Sequence, residues 1–405
     1  MLKLLLIAPT CDAHDVGEAW VAYEWVRQMA CRHEVTVLTY YKQGRTPLSH
    51  QLPNVRAIEW AEPRGLGRAE RLNSMLKPAY VPYYIRARQW IRAALARGER
   101  FDVAHQPVPV AARYPSPVVG MGIPFVIGPI GGSLKSPDGF RPEEGTTAWY
   151  VQLRRMDRLR LLHDPWLRRS YQEASCVIGI APYVRELLAG LSVRRFELLS
   201  ETGLDRLPEP VDRQGRPDPV RLLFVGRLVR TKGARDAIRA LGLVRDLPAC
   251  LDVVGDGFDR GACEDLVRSL GLEDRVRFQG WLPRSRIEDF YQSADVFVFP
   301  SYREPGGNVT FEAMSHGLPV VVSDLGGPAA VVDETCGIRV HPVSPEQYAH
   351  DLASAVARLV RDPRLRRSLG EGGRRRVAEA GLWESKAERM DAIYASVLDR
   401  PARQS

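Results

Sequence analysis

The sequence predicts an α/β protein built as two doubly wound parallel-sheet domains, and three observations predict it. Short, wholly apolar runs alternate with helical stretches along both halves of the chain, the pattern of strands buried on both faces. The alternation breaks once, at residues 204–219, LDRLPEPVDRQGRPDP, a charged and proline-rich stretch with no apolar period, and then restarts. At 405 residues with 45% hydrophobic content, the chain suits two domains, each with its own core.

In chain order, the first half offers the runs Leu4–Ala8, Val35–Tyr40, Val55–Ile58, Phe101–His105, Pro124–Ile130, Cys176–Ile180 and Phe196–Leu199 as strands. Helical stretches fall at Glu18–Cys31 and Tyr83–Arg97. The second half offers Arg221–Val225, Leu251–Val254, Val276–Phe278, Val296–Phe299, Val320–Val322 and Ile338–Val340. Residues 345–398 read as helical and arginine-rich, with Trp383 and Glu384 opening the last helix. The expected boundaries are a domain over 1–203, a linker over 204–219, a domain over 220–382 and a terminal helix over 383–405. Two such sheets joined by one linker place a cleft between their carboxyl ends.

Composition narrows the function. No apolar run reaches membrane-spanning length. The six cysteines are scattered, with no C-x-x-C and no metal-ligand spacing, so reduced thiols and a cytoplasmic location are expected, with the inner membrane face as the alternative place. The net charge of +8 favours phosphate-rich partners, but it is scattered and no nucleic-acid motif accompanies it. Arg154, Arg155, Arg158, Arg160, Arg168 and Arg169, near Trp149, Tyr150 and Trp166, would suit peripheral contact with anionic lipid headgroups. There is no P-loop motif and no Asp-x-Asp, and no bound metal or cofactor is expected.

The richest stretch is Phe299–Ser323, FPSYREPGGNVTFEAMSHGLPVVVS. It reads as a strand end, a glycine loop, a short helix starting near Asn308–Thr310, and another strand. Gly317 and Pro319 stop the helix. A helix start directly after Gly306 and Gly307 presents bare amides to an anion. Glu304 and Glu312 bracket it, at a spacing that on one helix would put them about 12 Å apart, too far for a glycosidase pair. Such an arrangement suits a phosphate with hydroxyl-rich groups on either side, the shape of a nucleotide-sugar.

Glu304 and Glu312 with seven residues between, followed by Ala313, Met314, Gly317, Pro319 and Val320, resemble the E-x7-E signature of the family-4 glycosyltransferases. Gly226-Arg227-Leu228 with Lys232-Gly233 resembles the G-R-L-x-x-x-K-G motif of that family. The resemblance implies a GT-B fold, two Rossmann-like domains facing a central cleft, with the last helix packed back on the N-terminal domain. It also implies a retaining, hexosyltransferase-type enzyme whose nucleotide-sugar, UDP-linked by preference, is a co-substrate.

The implied roles fall residue by residue. Arg227 and Lys232 would stabilise the leaving diphosphate, as the build-up of charge on its oxygens demands. Glu304 would orient sugar hydroxyls and Glu312 would hold the ribose. Gly306, Gly307, Asn308, Val309 and Thr310 would contact the diphosphate through the helix start. Gly255 and Gly257 resemble the family's V-G-D-G turn, and Trp281 and Leu282 its base-side loop. In the first half, Gly17 follows the first strand as the family's diphosphate loop does, and Gly131, Gly132 and Ser133 sit in a GPIGGS loop on the acceptor side. His105 matches the first histidine of the family's H-x-H, whose second position is Pro107 here. The acceptor would be a hydroxyl group, lipid-linked acceptors included, in polysaccharide, glycolipid or metabolite synthesis. The alternatives are a sugar-nucleotide epimerase on the same scaffold and a non-catalytic sugar-nucleotide-binding subunit.

Overall fold

A computed structural model of the chain describes residues 1–15, 17–42, 44–63, 77–144, 157–213, 215 and 218–399. The chain forms two compact units: Met1–Ser133, Ala148–Glu201 and Lys386–Ser405 make one, and Leu134–Thr147 with Thr202–Ser385 make the other.

The first unit is built on seven strands: β1 (Lys3–Thr10), β2 (Glu34–Tyr41), β3 (Arg56–Ala61), β4 (Val103–Gln106), β5 (Phe125–Ile130), β6 (Cys176–Gly179) and β7 (Phe196–Leu198). All pair in parallel, in the order β3-β2-β1-β4-β5-β6-β7. Leu4–Ala8 of β1 are fully buried because helices cover both faces of a parallel sheet. The helix Glu18–Ala30 turns Ala19, Val21, Ala22, Trp25, Val26 and Met29 inward, the one-sided spacing of an amphipathic helix.

The last helix, Trp383–Leu398, joins this unit from Lys386 onward. The Asp391 carboxylate accepts from Arg32 at 2.9 Å and pairs with His33 Nε2 at 2.8 Å. Tyr394 is fully buried.

In the second unit are β8 (Val220–Val225), β9 (Ala249–Val254), β10 (Val276–Gly280), β11 (Val296–Phe299), β12 (Val320–Ser323) and β13 (Gly337–Val340). They too are parallel, in the order β10-β9-β8-β11-β12-β13.

Two stretches behave otherwise than the sequence suggests. Residues 134–144, expected in the N-terminal half, pack into the second unit. Phe140 is fully buried there, 4.3 Å from the ring of Tyr302 and 5.8 Å from that of Tyr348. Glu143 accepts from Arg230 at 2.7 Å and from Arg239 at 2.9 Å. Residues 204–213, read as the start of a linker, are also tied down. The Arg213 guanidinium donates to the carbonyls of Ala294, Tyr291 and His316 at 2.7, 2.9 and 2.8 Å. Leu204 N donates to Gly381 O at 2.9 Å, and Trp383 N donates to Leu204 O at 3.0 Å.

Candidate functional site

In the second unit the strand order reverses at β8, whose neighbours are β9 and β11. An open α/β sheet takes its ligand outside the carboxyl ends of the strands at such a point. Arg227 and Lys232 follow β8; Glu304, Gly306 and Gly307 follow β11. The two loops are joined, since Ser301 Oγ donates to Thr231 O at 3.1 Å.

Lys232 donates its ammonium to Glu304 Oε2, and its Nζ lies 5.9 Å from the centre of the Phe299 ring. Glu304 Oε1 accepts from the amides of Gly306 and Gly307 at 3.4 and 3.3 Å. Gly307 then caps the helix Asn308–Ser315, and no side chain satisfies the helix start, so its first-turn amides present partial positive charge. One ammonium, one carboxylate and a row of amides thus meet at the switch point. Arg227 is exposed on the β8 side and has no ion-pair partner among the described residues. Asn308 is exposed, Val309 half-buried, and Thr310 fully buried with its hydroxyl unpaired. Asn308 Oδ1 accepts from Thr202 Oγ1.

The turn after β9 is stitched to its neighbours. Gly226 N donates to Val254 O at 3.0 Å, Leu228 N to Asp256 O at 2.9 Å, and Gly255 N to Gly280 O at 2.8 Å. Gly255 is obligatory here: its φ is +132°, and a Cβ would stand 1.9 Å from Gly226 O. Gly257 presses likewise on Leu228 O. Beyond Gly280, Trp281 is 76% exposed and Leu282 packs partly on the core.

Glu312 belongs to a different neighbourhood from Glu304. The Tyr291 hydroxyl donates to its Oε2 at 3.1 Å, and Arg284 lies 3.6 Å from Oε1. Burial pushes its carboxyl above the ordinary range, against the pull of Arg284 and Tyr291. Neither Tyr291 nor Arg284 is a residue the motif reading singles out. Both sit on the helix Arg284–Ser293, and Tyr291 stacks on His316 at 5.4 Å.

Arg230, between the two motif cations, serves another purpose. Its side chain is 4% exposed; it clamps Asp236 at 2.6 and 2.9 Å and lies 5.3 Å over Phe140 and 5.4 Å over Tyr302. The sequence signal for it is Asp236 itself, an acid on the apolar face of the helix Ala234–Leu243, which demands a buried cation.

In the first unit, Gly17 opens the helix after β1 with a φ of 66°; Val16 of the same motif lies outside the described residues. Gly131 N donates to Val110 O at 2.7 Å, Gly132 N to the Tyr183 hydroxyl at 3.1 Å, and Ser133 follows with a φ of 56°. His105 is fully buried and both its ring nitrogens are committed. Gly128 O, 2.6 Å from Nε2, can only accept, so Nε2 carries the proton and Nδ1 accepts from the Tyr394 hydroxyl at 2.6 Å. No ring nitrogen is left to meet a ligand in this arrangement, although His105 stands among the catalytic candidates of the motif.

Burial lowers the His105 pKa to about 4, against the pull of Gly128 O. The unfolded chain binds the proton first on acidification, so stability is expected to fall by roughly 3 kcal/mol from pH 6.5 to pH 4 through this residue. Denaturant titrations across that range should show a shallower fall in His105→Gln; equal slopes would sink the assignment.

Among the described residues, no three His, Cys, Asp or Glu side chains group as a metal ion needs, and no helix is long and apolar enough to cross a membrane. Of the arginine-rich stretch, Arg154 and Arg155, with Trp149 and Tyr150, lie outside the described residues, as does the side chain of Arg158. Arg160 and Arg169 pair with Asp164 and Glu173, and Trp166 is 69% exposed. A cavity of about 300 Å³ lined by Ile338, Arg339, Arg358, Leu365 and Leu369 lies by edge strand β13 and includes none of the candidate residues.

Residues 16–199 match the model of the glycosyl transferase 4-like domain, and residues 209–376 that of the glycosyl transferases group 1. D-inositol 3-phosphate glycosyltransferase of Thermobifida fusca is 32% identical over 66% of this chain and 61% of its own length. Uncharacterized glycosyltransferase MJ1607 of Methanocaldococcus jannaschii is 35% identical over 46% of this chain and 47% of its own. The chain therefore spans about half to three fifths of the length of these relatives. Two solved structures are similar throughout. Sucrose-phosphate synthase of Thermosynechococcus elongatus has a TM-score of 0.65 at 24% identity, covering 98% of this chain and 99% of that one. Anabaena HepE in complex with UDP has a TM-score of 0.66 at 16% identity, covering 98% and 100%. At these identities the likeness is one of fold, and the fold is GT-B.

Proposed function

On the premise that the chain is a glycosyltransferase of the GT4 type, we propose that it moves a hexose from a nucleoside-diphosphate sugar to a hydroxyl acceptor with retention of configuration. The observation that carries this reading is the meeting of Lys232, Glu304 and the Gly306 and Gly307 amides at the β8/β11 switch point. Cations and amides aimed at a pyrophosphate bridge stabilise the charge that builds as the glycosidic bond breaks, each oriented donor contributing about 3 kcal/mol. Arg227, exposed after β8, adds a forked phosphate contact. Glu304 orients the sugar hydroxyls, and Glu312, held by Tyr291 and Arg284, faces the ribose. Trp281, exposed beyond the turn of Gly255 and Gly257, offers a stacking face to the base. Gly131, Gly132 and Ser133 serve the acceptor side, while His105 is a positioning residue that fixes Gly128 at the head of that loop. The UDP in the HepE structure supports uridine as the base.

A thermal-shift panel of UDP-, GDP- and ADP-sugars tests the reading. A ligand at a hundred times its Kd adds about 2.7 kcal/mol of stability, so one nucleotide class should raise Tm with concentration. Acceptor-dependent release of the nucleoside diphosphate should accompany it. No rise with any class, and no release, would overturn the proposal.

A further inference from the structure

We infer that Glu304 is the site's own anion: without a donor, its carboxylate fills the cradle of ammonium and amides that a donor phosphate takes, and the donor enters by exchange. The inference rests on the donor reading above. One carboxylate engages Lys232 through Oε2 and both loop amides through Oε1, the same groups that would grip a diphosphate. The pair is shielded from water, the side chains of Lys232 and Glu304 being 14% and 16% exposed. Its two amide bonds, at 3.4 and 3.3 Å, are longer than the usual 2.9–3.0 Å of such bonds, so the carboxylate is held loosely on that side.

The backbone beneath it is fixed. Glu304 O accepts from Gly327 N at 2.8 Å, and Gly326, at φ +69°, lies so close that a Cβ would stand 2.2 Å from the same carbonyl. The exchange is therefore a rotation of the Glu304 side chain, with the loop staying in place.

This has a consequence for what the site prefers. A diphosphate arriving at Lys232 displaces a like charge, which must find new partners or repel it. A donor supplies those partners, because its sugar hydroxyls donate to the displaced carboxylate. After transfer the sugar is gone, the carboxylate returns to Lys232, and the nucleoside diphosphate is expelled. Glu304 thus sets a preference for the sugar-bearing donor over its own product.

Calorimetric titration with UDP and UDP-glucose as probes tests this on the full chain. Glu304→Gln removes the internal charge and is expected to bind UDP about tenfold tighter than the wild type, a difference of about 1.4 kcal/mol. UDP-glucose affinity should not rise with it, so the wild-type preference for the sugar-bearing form is lost. Glu304→Asp keeps the charge and should bind UDP as the wild type does. Measurable but equal UDP affinity in the wild type and Glu304→Gln overturns the inference and leaves the donor reading standing. If neither protein binds UDP, GDP or ADP, both readings are overturned; if GDP or ADP binds in place of UDP, the same comparison is made with that diphosphate and its sugar.

Discussion

Lys232→Ala is expected to lower kcat/KM by about a hundredfold or more, the cost of removing one oriented group that stabilises developing charge. Among the described residues, the ammonium is the single side-chain cation paired with Glu304. Its loop is held independently by Ser301 Oγ on Thr231 O and by Lys232 N on Val229 O, so the backbone should keep its course. Nucleoside diphosphate affinity should fall with turnover, while uridine affinity, which needs no phosphate contact, should not change. Steady-state kinetics beside a thermal melt separates the outcomes. Near-normal turnover in a well-folded variant would remove Lys232 from the mechanism.

Asp236→Ala should have the largest effect on stability, a loss of roughly 3–5 kcal/mol, because it strands a buried charge. Arg230 keeps its cation between Phe140 and Tyr302, and the Asp236 side chain that clamps it is fully shielded from water. Burial works against the Arg230 charge, and Asp236 more than offsets this, pushing the guanidinium pKa above its ordinary value. Glu143 remains as a second partner at 2.7 Å, so Glu143→Gln should cost less. Equilibrium denaturation measures both; a loss below about 1 kcal/mol for Asp236→Ala would mean that the pair adds little.

The strands were legible because parallel sheets bury both faces and leave uniform apolar runs: Leu4–Ala8 and Val296–Phe299 need no alternation to be recognised. The helix at Asn308 was legible from its stop at Gly317 and Pro319, and it ends at Ser315. Lys232 and Glu304 were readable as members of motifs. That they touch was not, because 72 positions separate them and only the β8–β11 pairing brings them together. Residues 134–144 offered only two apolar residues, Leu134 and Phe140, in a polar stretch without period, so nothing local announced where they dock. His105 shows the same limit: its partner Tyr394 is 289 positions away, and a motif match says nothing of whether a ring is enclosed. Arg230 and Lys232 look alike in sequence, yet one supports the core and the other faces the site, a division set by the buried acid at Asp236.

The last helix has a consequence for how the protein is made. Asp391 and Tyr394, which complete the first unit against Arg32, His33 and His105, are translated after the whole second unit. At about 5–20 residues per second, the ribosome needs tens of seconds from His105 to Tyr394. During that interval the nascent first unit lacks a wall, and the opening residues of the chain wait for the closing ones before their sheet is sealed.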